Sequence, residues 1–146
     1  MPRFSAATLS IQSDTDLASA VEAILGLAPD SIHEKGDVRT DRRGRELSPY
    51  KYSVWSYSPP KESIDPADDS GFAALRALVK DIRGCADGLA KLRPRYLTAI
   101  RWSGEVSAQG NFVIDANLMV DLGLLGCEFW GTAHQEFDPD LDDLAE

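Results

Sequence analysis

Phe4-Ser-Ala-Ala-Thr-Leu-Ser-Ile-Gln-Ser-Asp-Thr-Asp-Leu-Ala-Ser-Ala-Val-Glu-Ala-Ile-Leu-Gly26 changes its period halfway along. Through residue 12 the apolar positions alternate, with Ala7, Leu9 and Ile11 on one face and Thr8 and Ser10 on the other, which is the pattern of a half-buried strand. From Leu17 the spacing becomes helical. Leu17, Ala20, Val21, Ile24 and Leu25 form one stripe, predicting a helix over 14–25. Ser13 and Asp16 stand where a serine oxygen can accept a free amide of a first helical turn. Gly26 can take the left-handed conformation that closes a helix, and Pro29 prevents its resumption.

The same two periods recur further along. Tyr52 to Ser58 alternates, Tyr52 and Val54 against Trp55 and Tyr57, until Pro59-Pro60 ends the strand. Asp68, Asp69 or Ser70 can cap the next helix, whose apolar residues from Phe72 to Leu92 recur at three and four. Gly84 and Gly88 each weaken that helix by about 1 kcal/mol relative to alanine, which predicts a bend near 84–88. Residues 95–103 read as a strand apolar on both faces, Leu97 and Ala99 opposite Tyr96, Ile100 and Trp102, and so as a central one. A fourth strand is expected over Phe112–Asp115, then a short helix with Leu118, Met119 and Leu122 inward, and a fifth strand over Cys127–Thr132.

These elements predict an α+β fold: a mainly antiparallel sheet of about five strands with two to three helices on one face. Asp16-Leu17 followed by Leu25-Gly26-Leu27 is echoed by Asn117-Leu118 and Leu122-Gly123-Leu124, so a ferredoxin-like fold with duplicated βα units is one form the sheet would take. The 146 residues fit one domain, read as 1–133, followed by an acidic tail over 134–146. The tail holds six acids and no base, two thirds of the net charge of −9.

Composition excludes several chemistries. An acidic chain lacks the basic footprint of nucleic-acid binding, so no nucleic-acid partner is expected. No stretch approaches the roughly 18 apolar residues of a membrane span, and no signal peptide is read at Met1, so no membrane association and a cytoplasmic location are expected. Cys85 and Cys127 are expected as buried free thiols. With two distant cysteines and two isolated histidines, His33 and His134, no metal site, nucleophilic triad or cofactor is expected. No phosphate-cradling glycine loop occurs.

Two sets of residues could bind something. Glu34 to Glu46 is a loop with five bases and four acids, and Arg42, Arg43 and Arg45, with Lys35, Arg39 and Lys51 nearby, could hold an anion through guanidinium forks. Equally, those bases could pair with Glu34, Asp37, Asp41 and Glu46 on a solvated loop. The strand aromatics Trp55, Tyr57, Tyr96, Trp102 and Trp130 are core residues if they share the helix-covered face, and line a groove or interface if they do not. Trp55, Tyr57 and Trp102 are the aromatic candidates for a site. Catalytic residues are not identified; Glu105 or Asp115 would serve acid–base chemistry only as a perturbed pair in a cleft.

The early strand, the Asp16-Leu17…Leu25-Gly26-Leu27-Ala28-Pro29 helix and exit, the Lys35-Gly36 loop and the Val54-Trp55-Ser56 strand resemble a family of small bacterial proteins, domain of unknown function 4279. The later leucine-rich helix and Leu122-Gly123-Leu124 are similar to it as well, so the likeness runs over about residues 4–131. The resemblance implies a bacterial α+β domain and carries no catalytic residues.

The expectation that follows is a binding or protein-interaction module rather than an enzyme, with an immunity-type or antitoxin protein as a concrete version. The alternative is a small-molecule anion binder or enzyme with a groove between the sheet and the 28–51 loop. A protein partner, or a second copy docked through the open sheet face as a homodimer, is compatible with either.

Overall fold

The computed structural model describes residues 3–135. Strand β1 (Ser5–Ser13) leads to helix α1 (Ser19–Leu25), then to three short strands, β2 (Ser31–His33), β3 (Arg39–Thr40) and β4 (Glu46–Leu47). Strand β5 (Ser53–Tyr57) precedes a bent helix made of α2 (Ala73–Ile82), a 3₁₀ turn at Arg83–Cys85, and α3 (Ala86–Leu92). Strand β6 (Leu97–Val106), helix α4 (Ala116–Leu125) and strand β7 (Glu128–Gln135) complete the fold. The main sheet has the order β2-β5-β1-β6-β7, and β3 and β4 form a separate hairpin. All pairings are antiparallel except β6–β7, which is parallel.

The register sorts the strand residues into two faces, because directly paired residues point the same way. Ala7 pairs with Trp102, Leu9 with Ile100 and Tyr57, and Ile11 with Trp55. This face carries the helices. Trp55, Leu9, Ile11, Phe72, Leu75 and Leu78 are fully buried at its centre. Trp102 stacks on Phe72 at 4.5 Å, and its Nε1 donates to the Gly71 carbonyl at 2.8 Å. The α+β class, the mainly antiparallel five-stranded sheet, the helices on one face and the break in the long helix are therefore present as the residue pattern predicts.

Four details differ. Ser13 Oγ accepts the Thr15 and Asp16 amides at 3.2 and 2.9 Å, so the Ser-x-x-Asp pattern makes a turn after β1 rather than a helix cap. Helix α1 consequently starts at Ser19 and buries Val21 and Leu25, leaving Leu17 and Ile24 exposed. The expected fourth strand at Phe112–Asp115 is a loop. Strand β6 has β1 on one side and β7 on the other, so no edge is left for it. Phe112 instead sets its ring 5.9 Å from both Phe72 and Trp102, and Asp115 caps α4 by accepting the Leu118 amide. The second βα unit thus lacks its expected strand, and the parallel β6–β7 pair departs from a ferredoxin-like sheet. Finally, Met119 is exposed; Leu118 and Leu125 are the buried residues of α4.

Cys85 and Cys127 are free and half-buried rather than buried. Among the described residues no helix is long and apolar enough to cross a membrane. The acidic tail lies outside the described residues from 136 onward.

Candidate functional site: the uncovered sheet face

Among the described residues no helix covers the opposite face of the sheet. Alternation places Thr8, Ser10, Ser56, Ala99 and Ser103 there, with Arg101 beside Trp130 and Val54 beside His33. The middle is floored by small side chains, and Ser10 and Ala99 are buried between larger neighbours. The result is a shallow polar trough with a cluster of rings and cations at each end.

At the β7 end, the Arg101 guanidinium lies 5.0 Å from the Trp130 ring centroid, a cation–π contact. Trp130 is half exposed, and its Nε1 donates to Glu128 at 2.9 Å. Ser103 Oγ and His134 Nε2 are 2.9 Å apart. The sequence separates this pair by 31 residues, and only the parallel β6–β7 register reveals it. A serine–histidine pair is the start of a nucleophilic arrangement, which also needs a group to orient the ring and donors for an oxyanion. Here the pair stands exposed on the flat of the sheet, the setting of a surface hydrogen bond. A hollow of 240 Å³ opens between Thr8, Arg101, Ser103, Trp130 and Thr132.

At the β2 end, the His33 and Tyr50 rings stack at 3.6 Å, and Arg39 lies 5.9 Å from the Tyr50 centroid. His33, Arg39, Tyr50, Lys51, Tyr52 and Val54 wall a hollow of 430 Å³ between the charged loop and the sheet edge. The loop is held in place by its own backbone. Gly36 donates to the Tyr50 carbonyl at 2.9 Å, Tyr50 donates to Asp37 at 3.2 Å, and Lys35 donates to Ser53 Oγ at 3.0 Å. Gly36 has φ of 91°, which side-chain-bearing residues rarely adopt. The loop is also tied to α1. The Glu34 carboxylate accepts the Ala18 and Ser19 amides, each at 2.8 Å. Burial pushes the Glu34 carboxyl up, and these backbone bonds more than offset it, so it ionises below its ordinary range.

The residues expected to bind a ligand fall in three places. Arg42 and Arg43 are exposed at the tip of the β3–β4 hairpin, and Arg45 follows it. Asp41 orders that tip by accepting the Arg43 and Arg45 amides and Arg45 Nε, at 2.8, 2.9 and 2.9 Å. These bonds, that from the Arg45 amide foremost, keep the Asp41 carboxyl low. None of the three arginines walls the hollow; Arg39 and Lys51 do. Trp55 and Trp102 are buried under the helices. Tyr57 is on the same covered side and donates to Asp81 of α2 at 2.7 Å. Of the three tryptophans, only Trp130 stands on the uncovered face.

Of the two carboxylates considered for acid–base work, Asp115 has structural partners. Arg76 bridges Asp115 and Asp68 and ties α4 to α2. The Leu118 amide, followed by Arg76, holds the Asp115 carboxyl below its usual range. Among the described residues no group of three or more His, Cys, Asp or Glu could hold a metal ion.

No curated protein and no solved structure matches the chain. A family model does, across every residue that builds the sheet, both hollows and the helices: residues 3–135 match the domain of unknown function DUF4279, and the chain belongs to that family.

Proposed function

We propose that this chain is a non-enzymatic binding module that receives its ligand on the uncovered sheet face, with the anchoring contact in the hollow at the β2 end. The observation that carries the reading is the stacked His33–Tyr50 pair flanked by Arg39 and Lys51 at the mouth of that hollow. Rings give flat apolar area at little entropic cost, and the two cations give a negative group a place to sit. A small anion carrying a planar ring suits this combination. The test is calorimetric titration of the intact chain with a panel of aromatic carboxylates and phosphate monoesters, repeated with Arg39→Ala and Tyr50→Ala. Binding by the parent that both variants lose supports the reading. A panel that releases no binding heat counts against it.

A second reading is favoured by the breadth of the face and by the exposed Arg101–Trp130 pair: a protein partner lies across the trough and presents an acidic side chain to Arg39 or Arg101. An immunity-type or antitoxin protein is a concrete version. Affinity capture from the native host, compared between the parent chain and Arg101→Glu, distinguishes the two. A partner lost with Arg101→Glu supports this reading, and the absence of any reproducible partner removes it.

A further inference from the structure

The main sheet ends on one side in β2, which is only three residues long. On the other it ends, among the described residues, in β7, which has eight residues, all exposed. Proteins ordinarily blunt a long edge with lysine, proline or a bulge, because its free backbone groups invite another strand. Strand β7 has none of these. Its sequence, Glu-Phe-Trp-Gly-Thr-Ala-His-Gln, contains no lysine or proline, and its register with β6 runs unbroken from Glu128 to Gln135. Phe129 and Trp130 are 40% and 51% exposed, one on each face of the same edge.

We propose that β7 is a self-association edge, on which a second copy of this chain pairs antiparallel about a two-fold axis through Gly131 and continues the sheet. The strand is complementary to itself in this register. A two-fold axis perpendicular to the sheet keeps the faces aligned, so residues of like parity meet. Glu128 then faces His134, Trp130 faces Thr132, and Phe129 faces Ala133, each pair twice. Carboxylate meets imidazole and each large ring meets a small side chain. Among the described residues, Glu128 Oε1 and His134 Nδ1 carry no hydrogen bond, so both groups can pair without releasing Trp130 or Ser103. A Cβ on Gly131 would come within 3.1 Å of Phe129 and 3.3 Å of Trp102 of its own chain, so the fold itself keeps a glycine at the axis position. Neighbouring registers are poorer. An axis through Thr132 sets Trp130 against His134, and one through Trp130 sets the two indoles against each other. The dimer is an edge-to-edge one and leaves the uncovered face free for a ligand.

Sedimentation velocity of the full chain from about 1 to 500 µM is the test, a range suited to a small interface. The expected result is a mass rising with concentration from 15.9 kDa toward twice that value. Glu128→Lys and His134→Glu should each weaken association roughly tenfold, and combining them should restore it, because a lysine then faces a glutamate in each pair. Hydrogen exchange supplies a second readout, with amide protection within 128–134 rising with concentration. A mass of 15.9 kDa throughout, a dimer indifferent to the single substitutions, or a double variant no better than the singles each overturns the proposal.

Discussion

Glu34, on the loop after β2, caps a helix that begins fifteen residues before it: its two carboxylate oxygens accept the amides of Ala18 and Ser19, each at 2.8 Å. The first amides of a helix lack internal partners and need an acceptor. Ala18, the residue at the cap position, has no side chain that can serve. The bond therefore does two jobs. It completes α1, and it pins the charged loop whose far end, at Tyr50, walls the β2-end hollow.

Glu34→Ala should destabilise the fold by about 1 kcal/mol, the usual cost of a lost cap, and Glu34→Gln by less, since its amide oxygen can still accept one bond. The pH dependence has a definite sign. The folded carboxyl ionises below its ordinary 4.5, so its contribution is complete above that pH and is lost as the pH falls through the lower folded value. Urea denaturation at pH 7 and pH 3 checks this. The advantage of the parent over Glu34→Ala should be smaller at pH 3 than at pH 7, and an equal advantage at both pH values would contradict the capping role.

Trp102 and Trp55 give a controlled comparison within one core. Both are buried, at 3% and 0% exposure, so replacement by phenylalanine removes similar packing. Their indole nitrogens differ. Trp102 Nε1 donates to the buried Gly71 carbonyl, whereas Trp55 Nε1 is buried with no partner among the described residues. Trp102→Phe strands a buried acceptor, while Trp55→Phe strands nothing and removes an unpaired donor. Trp102→Phe should therefore cost about 1–3 kcal/mol more than Trp55→Phe. Equal losses in denaturant midpoint would show that the Gly71 carbonyl finds another donor.

Alternation through Leu9 and Ile11 and through Val54 and Trp55, and helical spacing from Phe72 to Leu92, are properties of neighbouring residues, and the elements they predict are present. The two-sided apolar pattern of residues 95–103 predicts an interior strand, and β6 does lie between β1 and β7. What could not be read depends on residues far apart. Glu34 caps α1, and Ser5 Oγ accepts the Ala74 amide at the start of α2 across 69 residues. Strand β2 has three residues and no periodicity of its own; its partner β5 holds it. The Ser103–His134 pair and the exposure of Trp130 both follow from a parallel register that no local pattern encodes.

Tyr57 should titrate unusually late. Burial, then the hydrogen bond to Asp81 and that carboxylate's charge, push the phenol up to about 12. A raised folded value means that the neutral phenol is favoured in the fold. Its contribution to stability is complete below the ordinary value of 10.0 and is lost as the pH rises through about 12. Asp81→Asn should bring the Tyr57 transition down toward the ordinary range, followed by ultraviolet absorbance against a Tyr57→Phe control. An unchanged transition would mean that burial alone sets it.

The arginines of the hairpin tip should be dispensable for ligand binding although they form the densest basic run in the sequence. Arg45 has 72% of its side chain exposed and is engaged by Asp41; Arg42 and Arg43 are exposed in the same turn. Arg39, four residues before Arg43, is the guanidinium that lies beside the Tyr50 ring and walls the hollow with Lys51. Replacing Arg42, Arg43 and Arg45 together by glutamine should change stability by no more than about 0.5 kcal/mol, as surface substitutions do. It should also leave the affinity for an anionic ligand within about twofold, the residual effect of screened charge at a distance. Arg39→Gln removes a direct charged contact and should weaken the same ligand by roughly 10- to 100-fold, equivalent to about 1.5–3 kcal/mol. Parallel calorimetric titrations of the two variants decide the point. Loss of binding in the triple variant with retention in Arg39→Gln would move the site out of the hollow and onto the hairpin tip.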